Sequence, residues 1–129
     1  MGGFRYETRS GRLVSERGSG AGIIAIGYAG AKDCINDPEK ARVRSCGPIP
    51  QGRYRIYERS HPRFAYPAYA LVPLEGTETF GRTGFWIHGD NRARNRSAST
   101  GCIVIDRAAR LRLRRELLAG ADPVLTVVP

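Results

Sequence analysis

The sequence predicts a mainly β domain of the sandwich or barrel type with one late helix, and not a βαβ sheet. Three observations carry this. Short apolar or alternating runs recur every 8–15 residues, Gly, Pro and Asn turn signals separate them, and only one segment, near the C-terminus, carries helix caps.

The elements follow in chain order. Phe4–Arg9 and Arg12–Glu16 read as a hairpin about Ser10-Gly11. Ile23–Tyr28 is an apolar strand. Ala29–Pro50 contains Asn36-Asp37-Pro38 and Gly47-Pro48-Ile49-Pro50, both turn signals, and reads as a long loop. Arg53–Arg59 alternates with Tyr54, Ile56 and Tyr57 and reads as a strand, and Tyr69–Val72, Phe85–His88 and Cys102–Ile105 are further strands, with a polar loop from Glu75 to Thr83. Arg107–Ala119 is the helix, with Asp106 as N-cap and Gly120 as C-terminal stop. Its apolar stripe is interrupted by Arg110 and Arg114, which are expected to snorkel outward. Val124–Val128 closes the chain as a strand.

The chain has 129 residues, which fits one domain spanning residues 1–129. Hydrophobic residues make up 41% and charged residues 26%, so a core can form and wholesale disorder is excluded. The longest apolar run, Gly22–Ala31, is too short to span a bilayer, which needs about 20 residues. Met1–Glu7 lacks the apolar stretch of a secretory signal, so synthesis in the cytoplasm is expected. The formal charge of +9 favours an anionic partner. Lys32 and Lys40 are the only lysines, and no recognition helix, Cys/His finger or aromatic single-strand motif accompanies the charge, so a specific nucleic-acid partner is not expected.

Three cysteines leave at least one unpaired within the chain. Cys34 and Cys46 flank a turn-rich loop and are placed either to bond each other or to stand as small buried hydrophobes. Two histidines and three scattered cysteines show no metal-ligand spacing, and neither a metal nor a cofactor is expected. His61, in Ser60-His61-Pro62, reads as structural or surface.

The chemistry concentrates in Gly81–Ile105. A strand ends at His88, a polar loop follows, and Ser99-Thr100-Gly101-Cys102 enters the next strand. Fourteen positions separate His88 from Cys102, enough for the loop to return beside the first strand. A neutral imidazole beside a thiol takes its proton and produces the nucleophilic thiolate. Gly101 permits close backbone approach, and N–H groups around Cys102 can face a developing oxyanion, each worth about 3 kcal/mol of barrier.

Ile87-His88-Gly89 followed by Ser99-x-Gly101-Cys102-Ile103 resembles the active-site signature of L,D-transpeptidases, cysteine enzymes of peptidoglycan stem peptides. Gly47-Pro48-Ile49-Pro50-x-Gly52-x-Tyr54 is similar to the turn and strand preceding that site. Together with Asn36-x-Pro38, Gly81-Arg82-x-Gly84-Phe85-x-Ile87-His88-Gly89-Asp90 and Ser97-Ala98-Ser99-x-Gly101-Cys102-Ile103-Val104, the chain most resembles the L,D-transpeptidase-like effector toxins of type VI secretion. The resemblance implies two mixed β-sheets with short helices. It implies Cys102 as nucleophile, His88 as base and then acid, Ser99 as the residue that orients the histidine or shapes the oxyanion hole, and Gly101 and Cys102 as oxyanion donors. The implied reaction is L,D-carboxypeptidase or transpeptidase exchange on tetrapeptide stems through a thioester. Delivery by injection into a target periplasm and a cognate immunity protein also follow from it, and a monomer is expected.

Gly89, Asp90, Asn91 and Thr100 lie in the segment expected to bind substrate, with Asp90 fixing the loop or binding the donor amine. Thr100 stands where many family members have His, and Val104 where many have Arg or Asn. Arg92, Arg94 and Arg96 are therefore candidates to hold stem carboxylates. A papain-type enzyme does not fit, because no histidine follows Cys102. Two rivals to the enzyme remain: a basic module that binds nucleic acid or anionic glycan without catalysis, and a scaffold that has lost activity.

Overall fold

The computed structural model describes residues 3–16, 22–91 and 98–129. Nine strands are present among them: β1 Phe4–Glu7, β2 Arg12–Ser15, β3 Gly22–Ile26, β4 Tyr28–Ala29, β5 Gly52–Glu58, β6 Tyr69–Pro73, β7 Phe85–His88, β8 Ile103–Val104 and β9 Val124–Val128. One α-helix, α1, spans Arg107–Leu118, and two short 3₁₀ turns cover Lys32–Cys34 and Pro38–Lys40. The hairpin, the long loop, the late helix and the closing strand thus stand where the turn and cap residues put them.

The strands form one mixed sheet in the order β3-β2-β1-β9-β5-β6-β7-β8-β4. The β1–β9 and β7–β8 pairs are parallel and the others antiparallel. The resemblance implied two sheets; the strands instead make a single one. The expected Ile23–Tyr28 strand breaks at Gly27, whose N–H donates to the Gly11 carbonyl at 2.8 Å. This break sends one chain segment to both ends of the strand order, so the sheet curls nearly into a barrel.

Strand alternation fills the interior. Phe4 and Tyr6, Leu13, Tyr54 and Ile56, Tyr69 and Leu71, Phe85 and Ile87, Ile103, Leu125 and Val127 all face one core. Tyr54 and Tyr69 reach it with satisfied hydroxyls, donating to the Pro50 and Arg110 carbonyls at 2.8 Å each. Helix α1 packs on β3 and adds Ala109 and Leu113 to the core. Asp106 caps it, accepting from the Ala109 N–H at 2.8 Å.

Arg110 corrects the expectation of an outward side chain. It is 4% exposed, and its Nε and Nη1 donate to the Pro67 and Ile105 carbonyls, both at 2.9 Å. Carbonyls converging from the 67 turn and the end of β8 meet its donors, and these bonds offset the cost of taking the guanidinium out of water. Arg114 does lie at the surface, paired with Glu58 at 3.0 Å.

Candidate active site

The β7–β8 pair positions the chemistry. Ile87 lies beside Ile103, and His88 beside Val104. Phe85, Ile87, Ile103 and Ile105 all point into the core. By the two-residue period of a strand, Trp86, His88 and Val104 occupy the opposite face. Continuing the register one step sets Cys102 beside Trp86, on the face of His88. Diagonal neighbours on a sheet are about 7–8 Å apart at the backbone. The Cys102 Sγ lies 3.7 Å from the Gly84 carbonyl, consistent with this placement.

His88 is 3% exposed. Its Nδ1 sits 2.7 Å from the Gly89 carbonyl oxygen. A carbonyl only accepts, so Nδ1 carries the proton and Nε2 keeps its lone pair. The ring of Phe64 stacks on the imidazole at 4.1 Å and 8°. His61 also stacks on Phe64, at 4.3 Å, and meets Trp86 edge-on at 5.0 Å. The expected structural histidine thus belongs to the aromatic cover over His88. Burial pushes the His88 pKa down; the Gly89 bond opposes this and the Arg110 cation adds to it.

Cys102 is half-buried and is the only free cysteine, because Cys34 and Cys46 are bonded with Cα atoms 5.6 Å apart. Burial raises its pKa, while the Trp86 backbone and the Arg82 cation pull it down. Both shifts leave a neutral thiol and a neutral imidazole at rest.

Ser99 is 1% exposed and organises the loop before Cys102. Its Oγ donates to the Cys102 carbonyl at 2.6 Å and accepts from the Gly30 and Gly101 N–H groups at 3.0 Å each. These bonds hold the loop, and none of them goes to His88. They also correct the expectation for Gly101: its N–H is spent on Ser99 and does not face an oxyanion. Of the two expected oxyanion donors, the Cys102 N–H is the one left.

Arg82 lies beneath the same loop, 7% exposed. It donates through Nη1 to the Ala41 and Pro48 carbonyls, and through Nη2 to the Gly47 and Thr100 carbonyls. The Gly-Pro-Ile-Pro turn is thereby tied to the loop before Cys102. Thr100 itself is exposed. A comparable arrangement holds the other arm: a Cβ on Gly89 would lie 2.5 Å from Nη1 of the buried Arg110. Asp90 accepts from the Tyr28 hydroxyl at 3.0 Å and from Asn91 N–H at 2.9 Å. Tyr28 in turn accepts from Ala98 N–H at 3.0 Å, bridging the two ends of the His–Cys loop. Asp90 is thus linked through Tyr28 to Ala98. Arg92, Arg94 and Arg96 lie outside the described residues.

Two grooves flank the strand pair. Cys102 opens into one of about 210 Å³, lined also by Arg44, Arg82, Thr83, Gly84 and Thr100. A larger one of about 680 Å³ lies at the other end of β7 and β8, along Tyr28, Phe64, Gly89, Asp90 and Arg107. Asp33, Cys34 and Cys46 bring ligand atoms within 4.8 Å of one another, with both sulfurs committed to the disulfide. No helix among the described residues is long and apolar enough to cross a membrane.

Residues 24–128 match the family model of the Tlde1 domain. The chain belongs to the Tlde1 domain family. That family comprises type VI secretion effectors of the L,D-transpeptidase kind, which act on peptidoglycan. None of the curated proteins matches the chain. Its fold is similar to that of the helical cell shape determining protein Pgp2 from Campylobacter jejuni. The TM-score is 0.55 for the K307A mutant and 0.53 for the other crystal structure, at 15% identity in each case. The alignments cover 98% of this chain and 46% and 49% of those chains, so the Tlde1 domain spans about half the length of Pgp2.

Sequence reasoning missed Arg82, Tyr28, Phe64 and the burial of Arg110. Arg82 stood inside the motif Gly81-Arg82-x-Gly84-Phe85 with no role attached, and Phe64, three residues after His61, lay outside every expected strand.

Proposed function

We propose that this Tlde1 domain is a cysteine enzyme that cleaves the terminal amide of peptidoglycan tetrapeptide stems, working as an L,D-carboxypeptidase or an L,D-transpeptidase. The observation that carries the reading is the shared sheet face of His88 and Cys102, with Nδ1 of the imidazole fixed as a donor to Gly89. Nε2 takes the Cys102 proton as Sγ attacks the stem carbonyl. The Cys102 N–H faces the oxygen that gains charge. As the tetrahedral intermediate collapses, the imidazolium returns the proton to the departing amine of the terminal residue. The remaining stem is held as a thioester. Water resolves it to a shortened stem with a free carboxylate; an amine resolves it to an exchanged or cross-linked stem. Ser99, Arg82 and the Tyr28–Asp90 bridge act by holding the loop that presents the sulfur. Delivery into a target periplasm and neutralisation by an immunity protein in the producer complete the proposal.

Mass spectrometry of muropeptides after incubation with purified sacculi tests it. The wild type converts tetrapeptide stems; Cys102→Ala and His88→Ala leave them unchanged while circular dichroism and melting stay native. Conversion by Cys102→Ala rules the mechanism out.

A further inference from the structure

We infer that Arg44 is a specificity-determining residue that binds the free C-terminal carboxylate of the substrate, one residue beyond the bond Cys102 attacks. The inference rests on the proposed nucleophile and adds the group that selects the substrate.

Among the described residues, the groove at Cys102 is lined by two arginines, Arg44 and Arg82, and by no carboxylate. An anionic group is therefore what its charge accepts. Arg82 is buried and commits its donors to four backbone carbonyls. Arg44 is exposed and makes no hydrogen bond or ion pair with another described residue. Its Nη2 lies over Gly81, 3.7 Å from where a Cβ would stand, on the rim of the groove.

The mount is rigid as well as close. Arg44 sits in a turn in which the Val43 carbonyl accepts from Cys46 N–H at 3.3 Å and Gly47 N–H at 2.9 Å. Cys46, two residues on, is bonded to Cys34. A planar guanidinium offers two parallel donors, the geometry a carboxylate takes in bidentate fashion. Because the turn is already fixed, only the free end of the side chain is ordered on binding. Arg44 and Cys102 line the same groove of about 210 Å³, so a stem ending one residue past the attacked amide is the preferred form under this proposal.

The test compares one tetrapeptide stem in two versions, with a C-terminal carboxylate and with a carboxamide. Wild type, Arg44→Ala and Arg44→Lys are assayed for kcat/KM by mass spectrometry of the released terminal residue. Melting temperature and iodoacetamide labelling of Cys102 check that the variants are intact. Wild type is expected to favour the carboxylate version by roughly 10–100-fold, the range of one hydrogen-bonded charge pair. Arg44→Ala removes that preference by slowing the carboxylate version alone, and Arg44→Lys keeps part of it. Equal slowing of both versions by Arg44→Ala, or a wild type without preference, overturns the inference and leaves the Cys102 mechanism standing. A wild type that processes neither version overturns both.

Discussion

Nη2 of Arg82 lies so close beneath Gly101 that a Cβ at this position would come within 2.5 Å of it. The same Cβ would stand 3.3 Å from the Gly47 carbonyl, and Gly101 has a φ of +147°, a backbone state side chains rarely adopt. Gly101→Ala therefore forces either the guanidinium or the Cys102 loop to move. We expect a destabilisation of about 1–3 kcal/mol and loss of muropeptide conversion. Thermal melts and sacculus digestion check this. A variant that melts and turns over like the wild type shows the contact to be dispensable.

Arg82 gives the second prediction. Four backbone carbonyls depend on one guanidinium. Arg82→Met leaves them buried without a donor, at about 1–3 kcal/mol for each group that water cannot reach. It also removes a cation that favours the Cys102 thiolate. The pH profile of iodoacetamide labelling should move to higher pH in Arg82→Lys less than in Arg82→Met, since lysine restores the charge and not the fork. Melts that fall with an unchanged labelling profile would make Arg82 purely a scaffold residue.

The legible parts of this molecule are those written in local patterns. Alternation gave β5, short apolar runs gave β6 and β7, and Asp106 and Gly120 bracketed α1, because a strand and a helix cap are decided by neighbours in the chain. His88 and Cys102 were legible as a pair because both stand beside glycines at strand ends. The single curled sheet was not, since it depends on β3 and β4 meeting partners at opposite ends of the strand order. Arg82 and Arg110 were not either. Their acceptors are carbonyls from Ala41, Gly47, Pro48, Pro67, Thr100 and Ile105, which carry no residue signature and converge only in three dimensions.

The neutral state of the pair sets the pH dependence. Burial lowers the His88 pKa below its ordinary 6.5, so the imidazole stays an unprotonated base at pH values where a solvated histidine is charged. The proposed mechanism needs that neutral form, and protonation as pH falls removes it. The acid limb of kcat/KM should therefore lie below pH 6.5. Phe64→Ala uncovers the ring face and admits water, and should move that limb up toward the ordinary value. A wild-type limb above 6.5, or one that Phe64→Ala leaves in place, contradicts the assignment of His88 as the base.

The Cys34–Cys46 disulfide carries the last prediction. Cys46 sits directly before Gly47, whose carbonyl binds Arg82, and Gly30, which donates to Ser99, packs against the Cys34 and Cys46 carbonyls. The bond thus closes the loop on which the Cys102 segment rests. Closing a loop between residues 12 apart contributes about 3 kcal/mol by limiting the unfolded chain. Cys34→Ser/Cys46→Ser should melt roughly 10 °C below the oxidised wild type. Turnover should fall as well, because a loosened loop relaxes the Gly47–Arg82–Gly101 contact behind the sulfur. Mild reductant should lower the wild type to the level of the double variant and leave the variant itself unaffected. Equal melting and turnover with and without reductant would detach this disulfide from the site.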